Sequence, residues 1–307
     1  MKEIKKYTDI VRYGKSRTKD VLKKGDYITI TEKMDGANAS FRIDKTNPLG
    51  ISCYSRNKPL DAENNLGGFY EWVLNNIVPI KDKLNPNYIY YGEWMNPHKV
   101  KYKEEIYKNF YMFSIWDLSE ELNQYLSDDI VKFEAKKLDI KTVNYFYEGE
   151  FINYDHLMNF VGKSDLTLEP NTGEGIVIKN VDYFDKYNRQ CFVKLVSDKF
   201  TEIKKQKVPK TDKSMIEGYI ELMSVLTRAR VDKMLYKIVD EGIIPDEDIC
   251  IENMGNILKI INGLVYEDIL KEESEVISNF DQKSIRKLIG KNLPLIVRDI
   301  LKERGRM

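Results

Sequence analysis

The stretch Asp26-Tyr-Ile-Thr-Ile-Thr-Glu-Lys-Met-Asp-Gly-Ala-Asn-Ala-Ser-Phe-Arg-Ile43 decides how this chain folds. Two runs of β-branched and aromatic residues flank a turn that contains Gly and Asn, which is the pattern of a β-hairpin. Lys33-Met-Asp-Gly-Ala-Asn38 stands where the first run ends. A lysine at that point, beside an acid and a glycine that permits close backbone approach, is able to attack a phosphoryl group. The same short string also occurs in ordinary surface turns, so the rest of the chain must decide its meaning.

The residues around this stretch predict a mixed α+β domain. Short runs rich in β-branched or aromatic residues indicate further strands at 49–54, 88–91, 111–116, 175–178 and 191–196, and helices are predicted at 64–77, 127–137 and 155–161. Past Pro209 the apolar period changes from two to 3.6. One helical face there carries Ile216, Tyr219, Ile220, Met223 and Leu226, and further helical segments follow at 231–239, 251–270 and 284–301. We therefore predict two domains, an α+β domain at 1–208 and an all-α domain at 209–307.

The distribution of charge leaves a nucleic-acid partner open. The chain of 307 residues carries 49 basic and 49 acidic side chains, whereas proteins that bind phosphate backbones usually have a basic surplus. Residues 1–210 carry 34 basic and 31 acidic side chains, and residues 211–307 carry 15 and 18. The most basic segment is 199–210, with lysines at 199, 204, 205, 207 and 210. That segment is either a solvated linker or a contact for a polyanion.

Other features of the composition exclude several classes of protein. Three widely spaced cysteines predict neither a disulfide framework nor a structural zinc site, and two histidines exclude a His-rich metal centre. The chain has no apolar stretch of about 20 residues, and its charged N-terminus lacks the apolar centre of a signal peptide. We expect a cytoplasmic protein without a membrane partner, whose chemistry depends on lysine, arginine and carboxylates.

Five further motifs follow the lysine motif in a fixed order. Ser55-Arg56-Asn57 places an arginine after a strand, where its guanidinium can bind a phosphate through two hydrogen bonds. Tyr91-Gly-Glu-Trp94 ends a strand with a carboxylate, and the aromatic run Phe110-Tyr-Met-Phe113 offers faces on which a purine can stack. The last segments are Glu174-Gly-Ile-Val-Ile-Lys179 and Phe192-Val-Lys194-Leu195, which add one carboxylate and two lysines.

This series resembles the covalent nucleotidyltransferase superfamily of polynucleotide ligases and mRNA capping enzymes. Within it the chain is most similar to the RNA ligase 2 branch, and the resemblance covers roughly residues 25–205. It implies a nucleotidyltransferase domain with ATP-grasp-like antiparallel sheets, followed here by an all-α domain. DNA ligases and capping enzymes usually continue with an OB-type barrel, which requires short alternating strands where this sequence predicts helices.

The resemblance also implies roles for individual residues. Lys33 is the expected nucleophile, which attacks the α-phosphate of ATP and holds AMP through a phosphoramidate. Its amine must be neutral to attack, so the pKa of Lys33 is expected to fall from about 10.4, helped by neighbouring positive charge. The expected ATP- and AMP-binding residues are Glu32, Lys33, Asn38, Arg56, Glu93, Phe113, Lys179 and Lys194. The residues expected around Mg²⁺, or Mn²⁺ in its place, are Asp35, Glu93 and Glu174.

The expected reaction joins RNA ends. The adenylated enzyme passes AMP to an RNA 5′-phosphate, and a 3′-hydroxyl then attacks it, either at a nick in a duplex or between single-stranded ends. We expect a monomer. One departure from the branch is that Val196 stands where the motif Lys-x-Lys has its second lysine, with Lys199 as a candidate replacement. The alternatives are a DNA ligase or guanylyltransferase of the same superfamily, and a module that binds RNA ends without catalysis.

Overall fold

The computed structural model describes residues 5–15, 18, 20–197, 222–278 and 280–306. The chain forms two compact units, residues 1–197 and residues 198–307. The predicted boundary between residues 208 and 209 lies outside the described residues, as do the basic segment 199–210 and positions 216, 219 and 220. No helix in the described ranges is long and apolar enough to cross a membrane.

The first unit contains two five-stranded sheets and three α-helices. Sheet A has the order β1-β10-β9-β2-β8, and sheet B has the order β4-β3-β5-β6-β7. The strands are β1 Val11–Arg12, β2 Tyr27–Lys33, β3 Ala37–Ile43, β4 Ile51–Ser55, β5 Tyr88–Trp94, β6 Phe110–Asp117, β7 Lys141–Thr142, β8 Tyr145–Glu150, β9 Gly175–Lys179 and β10 Val193–Val196. The helices are α1 Phe69–Asn76, α2 Asp128–Leu138 and α3 Tyr154–Met158, with 3₁₀ turns at Val78–Lys83 and Glu104–Ile106.

The predicted hairpin at residues 26–43 is wrong. Strands β2 and β3 both form, but they do not pair with each other. Strand β2 pairs with β8 and β9 in sheet A, whereas β3 pairs with β4 and β5 in sheet B. Residues 34–36 therefore carry the chain from one sheet to the other, and the lysine motif stands at this crossover. A local pattern of two strands and a turn cannot distinguish the two arrangements, because the partners of both strands come from distant parts of the sequence.

Alternation along the strands gives each sheet one apolar face and one more polar face. In sheet A, Ile28, Ile30, Ile176 and Ile178 belong to one buried cluster, so the intervening residues point to the opposite face, which we call the inner face. Residues on the inner face include Lys33, Lys179 and Lys194. The Lys179 amine donates to the backbone carbonyl of Phe113 on β6, so the inner face of sheet A meets sheet B.

Helices build the described part of the second unit. They are α4 Arg228–Asp240, α5 Met254–Glu272 and α6 Gln282–Glu303, with a 3₁₀ turn at Asp246–Asp248. The side chains of Thr227 and Asp281 cap α4 and α6 by accepting hydrogen bonds from backbone N–H groups. Arg230 is fully buried and makes ion pairs with Asp268 and Glu273. The predicted fold class, an α+β domain followed by an all-α region, is confirmed.

Candidate active site

The expected nucleophile meets a carboxylate at one end of the inner face. Lys33 is the last residue of β2 and is paired in register with Gly175, the first residue of β9. This register brings the Lys33 Nζ atom to 2.5 Å from Glu174 Oε2. Gly175 is needed here because a Cβ at that position would lie 2.1 Å from the carbonyl oxygen of Leu195. Glycine thus lets β10, with Lys194, pass close to the pair.

Glu93 approaches the same place from sheet B. Its Oε1 atom accepts a hydrogen bond of 3.1 Å from the backbone N–H of Gly36. A Cβ on residue 36 would lie 2.6 Å from the carbonyl oxygen of Trp94, so only glycine permits this crossing of the chain over β5. Asn38 is the register partner of Glu93, and the side chains of the two therefore share a face of sheet B.

Asp35 is held from several sides. One oxygen, Oδ2, accepts a hydrogen bond of 2.8 Å from the Val100 backbone N–H, and the Asp35 N–H donates to the Tyr102 hydroxyl at 2.9 Å. The other oxygen, Oδ1, lies 3.5 Å from Nδ1 of His98, a side chain that is almost fully buried. His98 belongs to none of the motifs that the sequence indicates. The structure instead makes it a neighbour of the lysine motif.

The electrostatics of this cluster hold the Lys33 amine in its charged form. Burial alone would lower the pKa of Lys33, but the negative charges of Glu174, Glu93 and Asp35 outweigh it, so the pKa is raised. The expectation that this pKa falls is therefore wrong for the protein by itself. Burial raises the pKa of Glu93 to about 7 and also raises that of Glu174, although Lys33 acts against both shifts. For Asp35 the burial effect is overcome, chiefly by His98, and its pKa is lowered.

Two of the remaining expected binding residues, Lys179 and Arg56, are engaged in other ion pairs. Lys179 is buried in an ion pair of 2.7 Å with Asp128, so its charge is already compensated. Arg56 is a third exposed and pairs with Asp9 at 2.6 Å. Lys194 lies closer to Lys33 and Glu174, since its positive charge acts to lower the pKa of Glu174.

Phe113, the expected stacking residue, lies on β6 of sheet B and contacts an aromatic cluster. Its ring centroid lies 4.9 Å from that of Tyr7, and it packs against buried residues of this cluster, among them Tyr91, Tyr125 and Phe192. Phe113 itself is only partly buried. The residue therefore keeps accessible surface for a second partner.

Glu32 points away from its neighbour Lys33, because successive side chains on a strand alternate between the faces. Its Oε2 atom accepts a hydrogen bond of 2.8 Å from the Asn144 amide, whereas the buried Oε1 atom has no hydrogen-bond partner among the described residues. Burial raises the pKa of Glu32 to about 7. Asn144 lines a pocket of about 650 Å³ together with Ser164 and Asp165. The sequence analysis missed these residues, which lie more than 100 positions from Glu32.

Replacing Glu32 by glutamine is expected to remove a pH dependence of stability. The folded pKa of about 7 exceeds the ordinary value of 4.5, so the folded protein binds more protons than the unfolded chain between these values. The free energy of unfolding of the native protein should therefore fall as the pH rises from about 4.5 to 7, by up to about 3 kcal/mol. Glu32→Gln stays neutral and keeps an acceptor for Asn144, so it should lose the contribution of Glu32 to this fall, whereas the contributions of Glu93 and Glu174 remain.

Urea unfolding at pH 5 and pH 8 measures this difference. The exposed Glu150 provides a matched control, and Glu150→Gln should retain the pH dependence of the native protein. If native protein and Glu32→Gln lose equal stability between the two pH values, Glu32 does not carry the effect.

The three carboxylates suit a hard divalent cation. Within residues 5–15, 18, 20–197, 222–278 and 280–306, no group of three or more His, Cys, Asp or Glu side chains is already arranged to hold a metal ion. Mg²⁺, however, is usually bound by one or two carboxylates, phosphate oxygens and water, and seldom by a cage of protein ligands. Asp35, Glu93 and Glu174 all act electrostatically on Lys33, so their negative charges lie near its amine. The donor set therefore fits Mg²⁺ or Mn²⁺ shared with a phosphorylated substrate.

Comparison with known proteins identifies the family of this chain. A profile of the RNA ligase family matches residues 26–196, which is more than half of the chain. Among solved structures, the Naegleria gruberi RNA ligase with PPi superposes with a TM-score of 0.50 at 21% identity, over 64% of this chain and 57% of that one. Mutants of that ligase with ATP and Mn, and with AMP and Mn, both give a TM-score of 0.48 at 20% identity, over the same shares of the chains. The chain thus spans less than two thirds of the length of these ligases, and at such identities the likeness shows the fold.

Proposed function

This chain belongs to the RNA ligase family, and from that premise we propose that it is an ATP-dependent RNA ligase acting through a covalent lysyl-AMP. One observation carries the proposal: the Lys33 amine lies 2.5 Å from Glu174, with Asp35 and Glu93 acting on the same amine. A lysine surrounded by carboxylates fits attack on a metal-bound triphosphate. A purely structural ion pair would not need two further carboxylates beside it.

In the first step, Lys33 Nζ forms a bond to the α-phosphorus of ATP and the bond to pyrophosphate breaks. The ammonium must lose a proton beforehand, and Glu174 Oε2 is the atom placed to accept it, because it already accepts the hydrogen bond. A divalent cation held by Asp35 and Glu93 would offset the negative charges that raise the pKa of Lys33. Mg²⁺ or Mn²⁺, held through Asp35, Glu93 and Glu174, supplies charge neutralisation when bound. Lys194 holds the phosphates, and the partly exposed Phe113 stacks on adenine.

In the second and third steps, an RNA strand takes the place of pyrophosphate. The 5′-phosphate of the strand attacks the lysyl-AMP phosphorus and releases Lys33, and a 3′-hydroxyl then attacks the RNA phosphorus and expels AMP. We propose a nick in a duplex as the substrate, with Asn38 and Arg56 at the reacting phosphates. To bind a phosphate, the Arg56 guanidinium must release its ion pair with Asp9. This is feasible because the pair is partly exposed and therefore weak.

Nucleotide choice tests the first step. We expect α-labelled ATP with Mg²⁺ to label the purified protein covalently, while labelled GTP and NAD do not. Labelling by GTP would favour a guanylyltransferase instead. A protein that binds RNA ends but takes no label from any of the three would be a non-catalytic module, which is the less favoured alternative because Lys33, Glu93, Glu174 and Lys194 are all present.

A panel of sealing substrates tests the polynucleotide. We expect a nicked duplex with RNA on the 3′-hydroxyl side to be sealed at least about tenfold faster than the same nick with DNA there, and faster than free single strands. Specificity of this size needs only one hydrogen bond to a ribose 2′-hydroxyl. Equal sealing of an all-DNA nick would replace the RNA ligase assignment by a DNA ligase.

A further inference from the structure

Arg12 lies beside Lys194 at the edge of sheet A. Strand β1 pairs in parallel with β10, and Arg12 is the register partner of Lys194. The Tyr13 N–H donates to the Lys194 carbonyl at 3.0 Å, which fixes this register beyond the end of β1. Partners in a sheet point to the same side, so Arg12 shares the inner face with Lys194. Tyr13 confirms the alternation, because it packs against the apolar cluster on the opposite face.

The Arg12 guanidinium is unusual in having buried donors that bind nothing. Its Nε and Nη2 atoms are both buried, and neither has a hydrogen-bond partner among the described residues. A buried donor without an acceptor costs roughly 1–3 kcal/mol, more when it is charged. Two such donors on one guanidinium form the pair of N–H groups that binds two oxygens of a phosphate or carboxylate.

The position of Arg12 also lies near a point where this sequence lacks an expected positive charge. Val196 follows Lys194 on the same face, where the related branch carries a second lysine. We propose that Arg12 binds a phosphoryl group beside Lys194 and supplies the second positive charge that Val196 lacks. This inference rests on the proposed ligase function. The ligand is a phosphate group, whether it belongs to ATP or to the RNA strand.

The N-terminal segment, defined here as residues 5–12, places Arg12 with little freedom. The Tyr91 hydroxyl donates to the Lys5 carbonyl at 2.6 Å, and the Thr8 N–H donates to the Tyr125 hydroxyl at 2.7 Å. The Tyr7 ring is buried in the aromatic cluster that Phe113 contacts. The segment therefore runs from sheet B to the edge of sheet A. Its contacts with both sheets fix the position of Arg12.

The test compares Arg12→Ala, Arg12→Lys and the double variant Arg12→Ala/Val196→Lys with native protein. Arg189→Ala is the matched control, because that arginine is 67% exposed and contacts its near neighbours Asp185 and Tyr187. For each protein we would measure lysyl-AMP formation across ATP concentrations, sealing of a nicked strand that is already adenylated, and binding of inorganic pyrophosphate by calorimetry. We expect Arg12→Ala to lose about tenfold or more in at least one of the first two, with partial recovery in Arg12→Lys and in the double variant.

Each outcome decides the proposal. A loss confined to labelling assigns the phosphate to ATP, and a loss confined to sealing assigns it to RNA; both support a phosphate contact. Native activity in Arg12→Ala overturns the proposal, and so does a loss that neither lysine variant recovers, because that indicates a structural role only. If native protein takes no label at all, the proposed function fails, and Arg12 is then judged by pyrophosphate alone: equal affinity in native protein and Arg12→Ala overturns its role.

Discussion

Lys33→Ala protein should take up no covalent label from α-labelled ATP, a loss of at least about a thousandfold. In the proposed mechanism the Lys33 amine forms the bond to phosphorus, whereas the charge of the buried Lys179 is compensated by Asp128 and the Phe113 carbonyl. Lys33→Arg should be equally inactive, because a guanidinium keeps the positive charge but not the nucleophilic amine. Denaturing electrophoresis of the labelled protein measures the result directly.

The control for this prediction is Lys24→Ala, since Lys24 is an exposed lysine in the loop before β2. That variant should label like the native protein. Lys33→Ala should still seal a nicked strand that carries a 5′-adenylate, because the last step needs the site but not the nucleophile. Undiminished labelling of Lys33→Ala would place the covalent bond on another residue, and the mechanism proposed above would then be wrong.

Glu174→Gln should change two readouts in opposite directions. Lysyl-AMP formation should fall by about a hundredfold or more, because the variant loses an anionic ligand and the atom that accepts the Lys33 proton. At the same time the pKa of Lys33 should fall, since Glu174 is the largest of the charges that raise it. An amine-reactive acylating reagent at pH 8 should therefore modify Lys33 faster in Glu174→Gln than in native protein, as measured by mass spectrometry of the modified peptide.

The exposed Glu169 supplies the matched control, and Glu169→Gln should leave both readouts unchanged. The two readouts together separate electrostatics from collapse of the site. If labelling and lysine reactivity both fell in Glu174→Gln, the variant would have lost the local fold and not only a charge. If neither changed, the 2.5 Å pair would have no part in the reaction.

The sequence was sufficient for the type of most elements but not for their pairing. Strands at 88–91, 111–116 and 175–178 were expected from short runs of β-branched and aromatic residues, and β5, β6 and β9 cover them. The hairpin at 26–43 failed because hydrogen bonding between strands depends on which partner is nearest in space. Strand β2 pairs with β9, which lies about 140 residues later in the chain, and no local sequence pattern predicts this pairing.

In the candidate site, too, the sequence indicated some residues, whereas others could be recognised only from their contacts in the structure. Lys33, Asp35, Glu93 and Glu174 were singled out together because their motifs occur in a fixed order, and the structure brings the three carboxylates close to the Lys33 amine. His98 and Arg12 were not, because neither stands in a recognisable motif. Their roles follow from a loop that returns to Asp35 and from a two-residue strand that pairs beside Lys194.

The sequence by itself determined the chemistry available to this protein: a lysine nucleophile, carboxylates for a hard metal ion, few histidines, and a helical region after an α+β domain. Only the tertiary structure decided that the lysine motif is a crossover between two sheets, which is why carboxylates from both sheets reach one amine. It also decided the protonation of that amine, because the pKa of Lys33 reflects the balance between burial, the neighbouring Asp35 and two charges from distant segments, Glu93 and Glu174. Residue types are local properties of a chain, whereas distances and electrostatic fields are not.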